Sequence, residues 1–315
     1  MAAYLVTGGA GFIGSHIVEM LLERRERVRV LDNFSSGKRE NLQFQNHAQV
    51  PNLEVVEGDV RDLDAVRQAT SGVDYILHHA ALVSVAQSMA DPLMAHEMNA
   101  TGTLNVLLAA REAGAKRVVL ASSAAVYGDN DDLPLKETAA PRPLSPYAAS
   151  KLAGEAYCRM FYAAYGLPTV CLRYFNVFGP RQDPNSQYAA AIPKFIAALL
   201  RGEPPTIYGD GTQSRDFVYV ANVVQANLLA CEKNDAIGKV VNIACGDRRT
   251  LLDLYRDLTA LIGTALRPVF APARAGDVKH SMAAIDQAKQ VLDYQPQVEW
   301  RDGLRHTIQW YTDRS

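Results

Sequence analysis

The chain has 315 residues, enough for two domains at roughly 150 residues each. Hydrophobic residues make up 48% and charged residues 21%, which excludes a disordered tail, a collagen-like fibre and a long coiled coil. With 32 basic against 34 acidic residues the formal charge is -2, so no global field draws the chain to nucleic acid or to an anionic membrane.

The N-terminus has neither the basic n-region nor the long apolar stretch of a signal peptide and enters an apolar run at once. No apolar run approaches the roughly 18 residues of a bilayer span. Strand candidates follow in order at 3–7 (AYLVT), 27–31 (RVRVL), 53–56 (LEVV), 73–77 (VDYIL), 116–121 (KRVVLA) and 168–173 (PTVCLR). Between most of them lie helical patterns with apolar i, i+3, i+4 spacing, such as Ile13, Ile17, Met20 and Leu21. This alternation predicts an α/β fold, a doubly wound parallel Rossmann sheet covered by helices, with Val-rich strands buried on both sides. Helices near 92–113 and 147–165 carry apolar residues on more than one face. One face covers the sheet; the other is buried within the chain or pairs with a second subunit.

After about 175 the texture changes. Pro180, Pro184, Pro193, Pro204 and Pro205 punctuate the chain, and Gly209, Gly211 and Gly276 mark turns. The expected division is residues 1–175, with segments returning from about 215–245, and a smaller C-terminal substrate domain over 176–315. The cysteines at 158, 171, 231 and 245 form no C-x-x-C pair and read as buried, reduced thiols of a cytoplasmic protein. His78-His79 closes the fourth strand without metal-ligand spacing, so no metal is expected. Trp300 and Trp310 flank a C-terminal helix and read as packing residues.

Strand 3–7 runs into Thr7-Gly8-Gly9-Ala10-Gly11-Phe12-Ile13-Gly14, where Gly8, Gly11 and Gly14 recur at three-residue steps. A dinucleotide-binding turn needs small residues for the tight bend, for close approach to a pyrophosphate and for helix–strand packing. The helix start then offers N–H groups and a positive dipole end to the phosphates. A plain strand–turn–helix looks the same locally, but a second signal follows: Asp32 ends the next apolar run. A carboxylate there accepts from the adenosine ribose and repels a 2′-phosphate. Its neighbour is Asn33 rather than an arginine, which favours NAD over NADP, although Lys38 and Arg39 stand close by.

Tyr147 and Lys151 lie four residues apart in SPYAASKLAGEAY, on one helix face. An ammonium near a phenol favours the phenolate, so the tyrosine could act as a base near neutral pH. Such a pair arises easily by chance among 14 tyrosines, so its meaning comes from position. It follows the fifth strand, which ends in Ser122-Ser123-Ala124-Ala125. Ser123 thus falls at the carboxyl end of a parallel strand, where α/β sheets hold their ligands.

Taken in order, TGGAGFIGSH, LDNFSSG, EGDVRD, SSAAVYG, YAASK, RYFNVFGPRQDP, GDGTQSRDFVYV and RAGDV resemble the extended short-chain dehydrogenase/reductase family, and within it the UDP-hexose 4-epimerases. The resemblance covers nearly the whole chain. It implies that Phe12 and Ile13 touch the NAD pyrophosphate through their backbone, with Asn33, Ser36 and Gly37 nearby. Asp59 and Val60 would frame the adenine, and Ala80, Ala81 and Asn99 would line the cofactor cleft. Tyr174 and Phe175 would sit near the nicotinamide. On the substrate side Asn176 would meet a phosphate, Arg215 and Arg274 would clamp the UDP pyrophosphate, and Asp277 would take the uridine ribose. Ser84, Gln182, Asn185, Ala190, Ile192 and Tyr208 are further pocket candidates. The implied reaction inverts the C4 hydroxyl of a UDP-hexose: Tyr147 takes the hydroxyl proton, hydride passes to NAD, the 4-keto sugar turns over, and both are returned. Lys151 would lower the tyrosine pKa and hold the nicotinamide ribose, and Ser123 would position the hydroxyl. The family's four-helix contact would make the chain a homodimer.

The family's alternatives are less well matched. Its 4,6-dehydratases carry Asp-Glu where this chain has Ala124-Ala125, and a methyl group moves no proton. Its uronate decarboxylases keep a glutamate at the second position. A non-catalytic NAD-binding protein should have lost Tyr147 or Lys151. The resemblance also places a gate beside the sugar's C2 substituent at Ser281, whose small side chain leaves room for an N-acetyl group. Both UDP-GlcNAc/UDP-GalNAc and UDP-Glc/UDP-Gal stay open as substrates.

Overall fold

The computed structural model describes residues 1–44, 52–184, 190–273 and 278–314. In chain order the first half runs β1 (Ala3–Thr7), α1 (Phe12–Glu23), β2 (Arg27–Asp32), β3 (Leu53–Glu57), α2 (Leu63–Thr70), β4 (Tyr75–His78), α3 (Val85–Ala90), α4 (Pro92–His96), α5 (Gly102–Glu112), β5 (Arg117–Ser123), α6 (Pro146–Tyr165) and β6 (Thr169–Tyr174). Then come β7 (Asn176–Phe178), α7 (Ala191–Leu200), β8 (Thr206–Tyr208), β9 (Ser214–Arg215), β10 (Phe217–Tyr219), α8 (Val220–Glu232), β11 (Val240–Ile243), β12 (Arg249–Thr250), α9 (Leu251–Ile262), β13 (Val269–Ala271), α10 (Asp286–Leu292) and α11 (Trp300–Thr312).

Seven strands form one parallel sheet in the order β11-β6-β5-β4-β1-β2-β3. The period of two along each strand divides the core between the faces. Val6, Val30, Val119, Val170 and Val241 turn to one face, beneath Ile17, Val18 and Leu21 of α1 and Val223 and Leu228 of α8. Leu5, Leu31, Ile76, Val118, Leu120 and Cys171 turn to the other, beneath Val66 of α2, Val106 and Leu107 of α5, and Cys158 and Phe161 of α6. Each such buried aliphatic side chain is worth about 1.5–3 kcal/mol of transfer free energy. The expectation of strands buried on both sides fails at β3. As the last strand of the sheet it leaves Glu54 and Val55 exposed, and Glu54 pairs with Arg29.

The stretch expected to be one helix over 92–113 is three pieces: α4, a π-helical turn at Glu97–Thr101, and α5. Beyond β6, α7, α9 and α11 enclose a separate apolar cluster with Phe178, Phe195, Ile207, Leu254 and Leu304. Trp300 stacks on Phe217 at 5.3 Å within it, a packing role as expected. The small pairs β7–β10, β8–β13 and β9–β12 complete this part. All four cysteines are free thiols, with Cys158, Cys171 and Cys231 buried.

Candidate active site

Parallel strand order reverses between β1 and β4, and α/β sheets bind ligands outside the carboxyl ends beside such a switch point. The strand ends there are Thr7-Gly8 of β1, Asp32 of β2, Asp59 beyond β3, His79-Ala80 beyond β4, Ser123 of β5 and Tyr174 of β6. These strand-end residues therefore converge on one edge although they are spread from position 7 to position 174 of the chain.

The glycine turn fits a dinucleotide. Gly8 has φ +68, and a Cβ on it would lie 2.6 Å from the backbone nitrogen of Ala80. A Cβ on Gly14 would lie 2.2 Å from the Gly8 carbonyl oxygen, so neither position accepts a side chain. Gly11 precedes α1 and offers no side-chain cap, leaving the first N–H groups of Phe12, Ile13 and Gly14 for an anion. The Asp32 carboxylate is buried, accepting from the N–H of Ala10 at 2.9 Å and of Phe34 at 2.8 Å. A Cβ on Gly37 would lie 2.9 Å from both Asp32 carboxylate oxygens, which explains the glycine. Ser36 beside it is exposed. The two cations near Asp32 are both engaged: Arg39 by Glu57, Lys38 by Asp183 at 3.6 Å. Asn33 donates to Asp59 at 2.8 Å, and Arg61 on the same carboxylate holds its pKa down at about 2. Ala80 donates its N–H to the Thr7 hydroxyl at 3.2 Å, and Ala81 follows it on the same strand end, both part-exposed.

Four of the cofactor-side candidates are tied into the fold by burial or internal hydrogen bonds. The side chain of Val60 is 3% exposed within the second core cluster, so only its backbone is free to frame a base. Asn99 spends its amide on both backbone groups of Leu82, at 2.8 and 3.0 Å, and on Ser150 at 2.9 Å. The Tyr174 hydroxyl donates to Asn227 at 2.9 Å and meets His79 at 3.0 Å, buried behind the edge. Phe175 is likewise core, against Tyr127.

The candidate reacting groups sit where α6 begins. Ser145 caps the helix by accepting from Ala148 at 3.2 Å, and Pro146 with its fixed φ follows, so Tyr147 stands in the first turn and Lys151 one turn on. Burial pushes the Tyr147 phenol upward, and its hydrogen bond with Ser123 works against that. The Lys151 side chain is buried; its ammonium donates to the Ala121 carbonyl at 2.9 Å and lies 6.0 Å from the Tyr147 ring centre. Burial lowers its pKa to about 8. The cation thus faces the ring from a distance rather than binding the phenol directly. Ser123 accepts from Ala125 at 3.1 Å, opening the 3-10 turn Ala124–Tyr127.

Sequence reasoning missed two supports. Ser88 accepts from the N–H of Tyr147 at 3.1 Å and donates to Val85 at 2.6 Å, tying α3 to the start of α6. Glu155 accepts from Ser122 at 2.6 Å and from Arg173 at 2.8 and 2.7 Å, with the guanidinium 4.6 Å over the Tyr127 ring. Both run between residues far apart in the chain, which no local pattern marks; Arg173 was visible only as part of RYFN.

On the substrate side, Asn176 donates to the Asp216 carbonyl at 3.3 Å and Gln182 to the Val177 carbonyl at 3.3 Å. Ser84 caps α3 through Gln87. Arg215 donates to the Ser214 and Lys279 carbonyls, and Ser281 donates its N–H to Ser214 at 3.0 Å, so these two stand together. Tyr208 is part-exposed and Ala190 exposed at the start of α7. Ile192 is a correction: its side chain is 1% exposed and packs in the third core cluster rather than opening on the cleft. Asn185, Arg274 and Asp277 lie outside the described residues. Asp216 is a buried hub accepting from Cys245, Gly246 and Ala283, and burial pushes its pKa up to about 7. Among the described residues no cluster of His, Cys, Asp and Glu could hold a metal ion, and no helix is long and apolar enough to cross a membrane.

Residues 4–244 match the model of the NAD dependent epimerase/dehydratase family. A putative UDP-glucose 4-epimerase of Methanocaldococcus jannaschii is 37% identical over 309 residues, 97% of each chain. A UDP-N-acetyl-alpha-D-glucosaminuronate decarboxylase of Bacillus cytotoxicus is 32% identical over 98% of this chain and 97% of its own. The solved UDP-N-acetylglucosamine 4-epimerase of Methanobrevibacter ruminantium M1, in complex with UDP-N-acetylmuramic acid, superposes with a TM-score of 0.95 at 42% identity, covering 100% of this chain and 99% of its own. The chain, with a glycine turn that fits the family's cofactor, belongs to the NAD dependent epimerase/dehydratase family.

Proposed function

We propose that this enzyme is an isomerase, a UDP-sugar 4-epimerase that inverts the C4 hydroxyl of a UDP-hexose. The observation that carries the reading is the meeting of Ser123, Tyr147 and Lys151 at the carboxyl edge beside two methyl side chains, Ala124 and Ala125. One proton carrier with Ala124-Ala125 in place of an acid–base pair suits an inversion and leaves a dehydration without the acid it needs there. NAD, when bound, supplies the acceptor and donor of the C4 hydride.

Gly8, Gly11, Gly14 and the N–H groups of Phe12 and Ile13 would hold the pyrophosphate, and Asp32 with Gly37 the adenosine ribose. Tyr147 would take the C4 hydroxyl proton and return it. Ser123 would hold the sugar oxygen beside the phenol; burial raises the Tyr147 pKa, and the Ser123 hydrogen bond offsets part of that rise. Lys151, anchored on Ala121, would add positive potential near the ring and reach the nicotinamide ribose. Arg215 and Ser281, brought together through Ser214, would take the nucleotide and sugar ends, with Asn176, Gln182, Ser84 and Tyr208 around them. The small Ser281 side chain supports UDP-GlcNAc/UDP-GalNAc as substrates, with UDP-Glc/UDP-Gal as the companion pair.

We read the chain further as a cytoplasmic homodimer. Leu93 and Met94 on α4 and Met160 on α6 are exposed apolar residues on neighbouring helices, which supports pairing there. The sheet with α1, α2, α5, α6 and α8 would form the NAD domain, and the cluster around α7, α9 and α11 the UDP-sugar domain. The deciding experiment incubates purified protein separately with UDP-GlcNAc, UDP-GalNAc, UDP-Glc, UDP-Gal and a UDP-uronate, without added NAD(H). The expected outcome is interconversion of a C4 pair. Carbon dioxide release from the uronate, a need for NADP, or stoichiometric use of NADH would overturn the reading.

A further inference from the structure

The segment Pro180–Asp183, between β7 and α7, is fastened to the cofactor side of the molecule by contacts that the reaction chemistry does not need. His16, in the second turn of α1, hydrogen-bonds the Pro180 carbonyl through Nε2 at 3.0 Å. A carbonyl only accepts, so that nitrogen carries the proton. Burial first, and then the nearby Arg181 cation, lower the His16 pKa to about 4, so the ring is neutral and Nε2 is its single donor. Arg181 reaches across to α1, pairing with Glu19 and meeting the Ser15 hydroxyl at 3.4 Å, with its guanidinium 5.5 Å from the Phe44 ring. Asp183 pairs with Lys38 at 3.6 Å, in the loop that follows Asp32.

Three features mark this segment as a clasp rather than a connecting loop. Arg181 has φ +66, a left-handed backbone that costs a non-glycine residue and persists only where the surroundings hold it. The Arg181 and Glu19 side chains are only 15% and 32% exposed, so their pairing is less screened than a surface ion pair. On its far side the segment is tied to the other half of the molecule: the Tyr311 hydroxyl of α11 donates to the Gln182 carbonyl, and Gln182 Nε2 to Val177 of β7. Gln182 Oε1 is meanwhile a buried acceptor without a donor among the described residues.

We propose that Arg181, with Glu19 and His16, is a positioning element that couples the two binding sites energetically. It joins the helix whose N-terminus faces the dinucleotide to the segment that continues from Asn176 and carries Gln182. This rests on the function proposed above. A ligand seated at the N-terminus of α1 and one held by the segment after Asn176 both load the Arg181–Glu19 contact, so a shift of that contact by either ligand is felt by the other. Linkage then requires the same factor in both directions.

The test uses the full-length chain, stripped of NAD and reloaded, with NAD and UDP as the probes in isothermal titration. In the unmodified enzyme, UDP should tighten NAD, and NAD should tighten UDP, by one common factor of at least about fivefold. Arg181→Ala and Glu19→Gln should bring that factor toward one, while each ligand alone still binds. Arg181→Lys, which keeps the charge and loses the fork, should fall between them. A strut with no coupling role would lower the thermal midpoint and leave the factor unchanged, and that result in both variants overturns the inference. So does a factor of one in the unmodified enzyme. If NAD or UDP alone fails to bind the unmodified chain, the reading of the site falls and takes this inference with it. Should Arg181→Ala not fold, the isosteric Glu19→Gln carries the test.

Discussion

Replacing Glu155 with glutamine should unfold this enzyme at a markedly lower denaturant concentration. The carboxylate is 0% exposed and its partner Arg173 2%. It accepts from Ser122 and twice from Arg173, so the pair is dry and bidentate. Glutamine keeps the shape but removes the charge bonded to the guanidinium, leaving a buried cation over the Tyr127 ring with no bidentate carboxylate. Breaking a buried pair from one side costs about 3–5 kcal/mol. At about 1.4 kcal/mol per decade, the unfolded fraction rises by roughly two to three and a half decades. At a urea dependence of about 3 kcal/mol per molar the midpoint falls by about 1–1.7 M, and by less at the steeper slope that a chain of 315 residues brings. Far-UV circular dichroism against urea measures it. Exchanging both partners, Glu155→Leu with Arg173→Met, should recover much of the loss, because apolar replacement of a buried pair is often neutral or better. A midpoint for Glu155→Gln within error of the parent would refute the reasoning, as would a double variant no better than the single.

Three further outcomes follow from the site. Tyr147→Phe keeps the ring packing and NAD binding but loses the proton carrier, so turnover should fall about 100-fold or more; near-parental turnover would remove Tyr147 from its role. Lys151→Met should show its pH signature in stability. The folded pKa of about 8 lies below the ordinary lysine value of 10.5, so between those pH values the unfolded chain binds more protons and parental stability rises with pH. The stability of Lys151→Met relative to the parent, read from melts of the NAD-free protein, should therefore be greatest below pH 8 and shrink toward pH 10.5; a constant difference contradicts the burial argument. Ser281→Tyr should depress turnover of N-acetylated UDP-sugars far more than of plain UDP-hexoses, since overpacking a filled pocket is costly. Equal effects in parallel kinetic assays would show that Ser281 is no gate.

Much of the sheet was legible because buried parallel strands write themselves as short apolar runs. The stretch 27–31 became Arg27–Asp32, one residue longer at its end, and 168–173 became Thr169–Tyr174, shifted by one residue at both ends. β11 carried the same VVNI signature but lay within the segment expected to return, and no local feature told which edge it joins. The glycine turn and Tyr147/Lys151 were legible because their chemistry depends on short spacings. Ser88, Glu155 and Asp216 were not, because each acts through bonds to residues brought near only by the fold. Ile192 was misplaced for the converse reason: its position in the chain lies near pocket candidates, yet its helix turns it inward. The phenol–ammonium relation was half right. The spacing put both groups on one face, but it could not reveal that the Ala121 carbonyl claims the ammonium.

The place of β11 has a consequence for how the chain is made. β6 ends at Tyr174, and the strand that pairs with its outer edge begins only at Val240. During synthesis from the N-terminus, β6 therefore emerges as an unpaired edge and waits while β7, α7 and the small strands are made. α8, which covers one face of the sheet, arrives just before β11. An open strand edge beside uncovered valines is the kind of surface that pairs with other chains. Nascent chains arrested before residue 240 should thus be the aggregation-prone species, and a fragment ending near 175 should fail to fold alone despite holding the glycine turn and both reacting side chains.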